Sequence, residues 1–129
     1  MAYEIPGFTL GVLNATEDLS SYQFCFVHLT TDGGVALTTA GAMAESPLGI
    51  LQNTPTSNQT CEIMVNHGVS KMICASQTSA GDLIIATSAG RGVTWTSGTS
   101  SWIVAKVLKG ALTSEQATVL VLPAQRVSA

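Results

Sequence analysis

Of the 129 residues, only 10% are Asp, Glu, Lys or Arg, where typical soluble domains carry about 25%; 46% are hydrophobic, and the formal net charge is −3. This length gives one domain, or one domain with an arm, and a chain so apolar is not disordered. No uninterrupted apolar run reaches the about 18 residues of a membrane-spanning helix, and the five basic residues, Lys71, Arg91, Lys106, Lys109 and Arg126, are scattered along the chain, which argues against nucleic acid and against an anionic membrane surface.

In chain order, short β-branched and apolar runs alternate with turn residues, the pattern of an all-β sandwich or barrel. Phe8 to Leu13 reads as a first strand or an extended arm, followed by a polar break from Thr16 to Ser21. Phe24 to Leu29 is a strongly apolar strand. Asp32-Gly33-Gly34 supplies the positive φ of a hairpin turn into Val35 to Thr38. Thr39 to Ser46 is a loop, and Pro47 to Gln52 a strand that opens on proline, where proline is tolerated. Cys61 to Val65 and Val69 to Ala75 flank Asn66-His67-Gly68, which carries the composition of a second hairpin turn. Leu83 to Thr87, Val93 to Thr96, Trp102 to Leu108 and Thr118 to Leu122 complete nine or ten strands, with no helix beyond one turn at Thr113 to Gln116. The expected organisation is an N-terminal arm over residues 1–15, a compact β-domain over 16–122 and a patternless, mobile tail over 123–129.

Residues that could carry chemistry do not form a set. Cys61, His67 and Cys74 are spaced unlike any common zinc site, and His28 lies within a strand. No G-x-S-x-G elbow is present, and Cys25 and Cys74 sit in apolar strands, where cysteine behaves as a small hydrophobe. Glu17 and Asp18 are adjacent, so an extended backbone points them apart. Gly90-Arg91-Gly92 leads into a strand rather than the helix a phosphate loop needs. The three cysteines suggest no disulfide framework, and an N-terminus with Glu4 and Pro6 suggests no secretory signal, so synthesis in a reducing cytoplasm is expected. The expectation is therefore a protein that is not an enzyme and takes no cofactor and no metal. Its Ser- and Thr-rich, charge-poor surface suits cover by another protein. Trp95 and Trp102 are candidate interface anchors; as a sugar platform they would instead make the chain a carbohydrate-binding β-domain.

Several short stretches taken in order carry a resemblance. Pro47-Leu48-Gly49-Ile50-Leu51-Gln52-Asn53, Gly68-Val69-Ser70-Lys71, Ala80-Gly81-Asp82-Leu83 with Gly90-Arg91, and the closing runs Trp102 to Leu108 and Ala117 to Leu122 resemble the capsid cement, or decoration, proteins of tailed bacteriophages. Glu17-Asp18-Leu19-Ser20 and Gly34-Val35 fit more loosely. The resemblance implies a compact β-barrel-like domain on the outer surface of an assembled capsid. There it would bind the major capsid protein, bridge coat subunits, self-associate as a homotrimer and stabilise the shell. Phe8, Leu10, Val12 and Leu13 are the residues expected to anchor the arm on a neighbour, by strand addition.

Overall fold

The structure is a computed structural model that describes residues 8–39, 46–97 and 100–127. Ten strands form two antiparallel five-stranded sheets: β1 (Phe8–Asn14), β2 (Phe26–Leu29), β3 (Val35–Leu37), β4 (Pro47–Leu51), β5 (Thr60–Val65), β6 (Val69–Ile73), β7 (Leu83–Ala86), β8 (Gly92–Thr94), β9 (Ser101–Lys109) and β10 (Gln116–Val127). The first sheet has the order β1-β5-β4-β2-β3 and the second the order β6-β10-β9-β7-β8. The chain thus completes one sheet before starting the other, and the two pack as a sandwich. Between β7 and β8 the helical geometry is one 3-10 turn, Ser88–Gly90.

Alternation builds the core. Phe26, Ile50 and Met64 are aligned across β2, β4 and β5, and they meet Met72, Ile84, Ala105, Val107, Val119 and Val121 of the second sheet. Full burial of each large side chain is worth about 1.5–3 kcal/mol. The residues between them face the other way: Val27, Leu51, Cys61, Ile63 and Val65 pack under Ala15, Leu19 and Cys25 of the β1–β2 connection as a second core. The first sheet is therefore covered on both faces. Gly49 lies where it does because a Cβ there would collide with the Met64 carbonyl and Val65. Polar groups also tie the sheets, since Gln52 Nε2 donates to Ser70 Oγ at 2.8 Å. Phe24, at φ 66°, takes its amide to the Leu51 carbonyl and receives the Ile73 amide, so it bonds to both sheets.

The expected β2–β3 hairpin forms, with Gly33 at φ 83°. Asn66-His67-Gly68 is not a hairpin. Asn66 and His67 do take positive φ, 49° and 66°, but the strands they join lie in different sheets. This turn is the one passage of the chain from the first sheet to the second. The tail expected from Pro123 is, as far as Val127, the end of β10. Leu122, Pro123 and Ala124 bulge opposite Val104, after which Gln125 pairs with Ile103 and Arg126 with Trp102. Proline lacks the amide a ladder requires, and the bulge accommodates it. The arm expected over residues 1–15 is, from Phe8, the edge strand β1, hydrogen-bonded to β5 because its apolar residues complete the second core. The remainders of these two expectations, residues 1–7 and 128–129, and most of the Thr39 to Ser46 loop lie outside the described residues.

Candidate protein-binding surfaces

The four arm residues do not share one role. Leu10 and Leu13 are half-buried against the second core. The backbone of Phe8 pairs with Val65. Between Leu10 and Leu13 the register slips, so Gly11 and Val12 together oppose Glu62. This bulge breaks the alternation and turns Val12 outward, 82% exposed. Val12 rims a depression of about 290 Å³ shared with Asp32, Gly33 and Asn58. An edge strand with a bulge resists uncontrolled strand pairing, and an exposed valine on it is available for a specific contact.

Trp95 and Trp102 are not brought together. The Trp95 amide donates to the Leu83 carbonyl at 2.7 Å, and Leu83 is paired with Lys106. Trp102 lies further back along β9, opposite Arg126, roughly 13 Å from Lys106 at about 3.3 Å per residue. Trp102 also packs against the main core, and its Nε1 is buried without a hydrogen-bond partner among the described residues. The two rings do not make one platform.

Cys61 and Cys74 belong to different cores, and among the described residues no three His, Cys, Asp or Glu side chains gather as a metal site. An apolar cleft of about 310 Å³, lined by Leu10, Pro47, Leu48, Val65, Pro123 and Ala124, opens where the β10 bulge meets the end of the first sheet. A wider open hollow of about 620 Å³ runs past His28, Leu29, Thr31 and Leu48.

Charge is the feature that a scan for local clusters misses. No Lys or Arg precedes Lys71, whereas six acidic residues do: Glu4, Glu17, Asp18, Asp32, Glu45 and Glu62. Because the chain changes sheets once, all five basic residues belong to the second sheet and its turns. Counting charge separately on either side of the Asn66-His67-Gly68 turn would have revealed this from sequence.

No protein-family model and no curated protein matches the chain. Among solved structures, the head fiber gp8.5 N base in bacteriophage phi29 superimposes with a TM-score of 0.66, covering 100% of both chains at 12% sequence identity. The fold is similar to that of a phage head fiber base. At such low identity the likeness to that head fiber base is one of fold, and it extends from end to end of both chains.

Proposed function

We propose that this chain is a structural protein of a phage virion. In this reading it binds the major capsid protein on the outer surface of the assembled capsid and stabilises the shell by bridging coat subunits. It works as a self-associated homotrimer after synthesis in the host cytoplasm. The observation that carries the reading is the end-to-end likeness of fold to the head fiber base of phage phi29. The order of cement-like motifs from Pro47 to Leu122 supports it, as do the low charge and the outward-turned Val12 on an edge strand. The function requires no catalytic site and no cofactor. Binding only the assembled lattice stabilises it by mass action, about 2.7 kcal/mol per site at one hundred times Kd, and many weak contacts over a shell add through avidity.

The test is quantitative mass spectrometry of purified particles together with their heat resistance. The chain should be present in fixed ratio to the coat protein, and particles lacking it should open at lower temperature. Absence from particles would overturn the proposal. Val12→Asp leaves the β1 backbone pairing in place and tests the arm: capsid binding should weaken while the sandwich stays folded, and unchanged binding would remove the arm from the proposal.

A further inference from the structure

The outer face of the second sheet is a surface of lysines and leucines. Register places Val69, Leu120, Lys106 and Leu83 in one row and Lys71, Thr118 and Lys109 in the next. Their alternates, Ala105, Val107 and Val119, face the core. Lys106 and Lys109 are exposed, and Leu108 and Leu112 beside them are 48% and 56% exposed. The two acids of this half lie in turns, ahead of β7 and β10, and not on the strands that carry these lysines. Asp82 Oδ2 accepts from the Ser79 amide at 2.9 Å and from Thr94 Oγ1 at 3.0 Å, and Glu115 Oε1 accepts from the Leu112 amide at 3.2 Å.

The opposite flank has the reverse character. The β1–β2 connection covers the far face of the first sheet and carries Glu17 and Asp18, both exposed. Asp32 and Glu62 are also exposed in this half, and Val12 and Leu29 supply apolar surface; two cations of the second half reach the connection at its inner end, Arg91 near Cys25 and Lys71 with its Nζ 5.6 Å from the Phe24 ring centroid. Hydrogen bonds from the Ser20 side chain and amide hold the Asp18 carboxyl below its ordinary value.

The two surfaces are therefore opposite in charge and both partly apolar. Two-fold pairing through either surface would set lysine against lysine or carboxylate against carboxylate, which is repulsive; a head-to-tail contact matches opposite charges and covers leucine with valine and leucine. We infer that copies of this chain associate head to tail, with the Lys106–Lys109 face of one second sheet against the Glu17–Asp18 flank of the next copy's first sheet. This names surfaces for the self-association proposed above and rests on that part of the reading; a head-to-tail contact gives a trimer when three copies close a ring and an open row when they do not, and the sedimentation coefficient tells the two apart.

Sedimentation velocity of the full chain without capsid tests it, using wild type, Lys106→Glu with Lys109→Glu, Glu17→Lys with Asp18→Lys, and an equimolar mixture of the two variants. Wild type should associate at low ionic strength and weaken about tenfold or more at about 1 M salt, where the Debye length falls to about 3 Å. Each variant alone should be monomeric, and the mixture should associate again, which also shows that both variants are folded. A monomeric wild type at low salt, association indifferent to both reversals, or a mixture that stays monomeric would overturn the inference. The virion reading stands apart in these assays: a chain that associates in this way but is missing from particles overturns that reading alone, whereas a chain present in particles but monomeric in solution overturns only the head-to-tail contact.

Discussion

The amide of His67 donates to the carbonyl of Val121 at 2.6 Å, and Val121 answers by donating its own amide to the neighbouring Gly68 carbonyl at 2.8 Å. The passage between the sheets is thereby stitched to the central part of β10. His67 holds φ 66°, a conformation that costs an L-residue about 1–2 kcal/mol. His67→Gly should stay within about 1 kcal/mol of wild type, because relief of strain is offset by a more flexible unfolded chain. His67→Val should lose about 1–2 kcal/mol, and His67→Pro more, since it also removes the donated hydrogen bond. Urea denaturation ranks the three, and equal midpoints would show that the turn is not under this constraint.

Gly49 and Gly11 form a matched pair of sites. A Cβ at Gly49 meets the Met64 carbonyl, which belongs to the backbone of β5 and has little room to yield; a Cβ at Gly11 meets nothing within 4 Å. Gly49→Ala should therefore destabilise by about 1–3 kcal/mol, while Gly11→Ala should be neutral or slightly stabilising. Thermal melts of the two variants check the contrast.

Burial pushes the Cys25 thiol up to about 11, the nearby Arg91 charge opposing it weakly, and burial raises the Cys61 thiol as well. Below the ordinary value of 9.0 these thiols are protonated in both folded and unfolded chains. As pH climbs from 9.0 toward 11 the unfolded chain ionises first, so stability falls across that window. A chromogenic thiol reagent at neutral pH should label none of Cys25, Cys61 and Cys74 in the folded protein and all three in denaturant. Labelling of the native protein at a rate matching free cysteine would contradict their burial.

Trp102 separates a packing role from an anchoring role. Its ring lies against the main core, so Trp102→Ala should cost about 3 kcal/mol. Trp102→Phe should cost much less, because it also removes a buried indole N–H with no partner among the described residues. Chemical denaturation gives both values, and capsid binding by Trp102→Phe shows whether the indole touches a partner.

The strands were legible because each is a short apolar run between turn residues, and all ten of those runs are strands in the structure. What stayed hidden was non-local. Asn66-His67-Gly68 has hairpin chemistry because positive φ is demanded by the tight turn itself, whichever strands follow; its neighbours pair elsewhere because their apolar faces belong to different layers. Pro123 ended the visible alternation, yet β10 bulges past it and resumes pairing at Gln125. At the candidate surface, regular alternation would put Leu10 and Val12 on one face and Leu13 on the other; the slip opposite Glu62 instead sends Val12 outward while Leu10 and Leu13 both turn in. The basic residues looked scattered because their shared sheet is a property of topology.

The single passage between sheets also governs synthesis. Residues up to Val65 complete every strand of the first sheet before any strand of the second has been made. At about 5–20 residues per second, the remaining half takes roughly 3–12 seconds to emerge. During that interval Phe26, Ile50 and Met64 have no opposing layer, and a released fragment ending at Gly68 should bind an apolar dye that the finished protein ignores. The half-built sandwich is thus the species most open to chaperones and to misassociation, and the arrival of β9 and β10 is the step that ends its exposure.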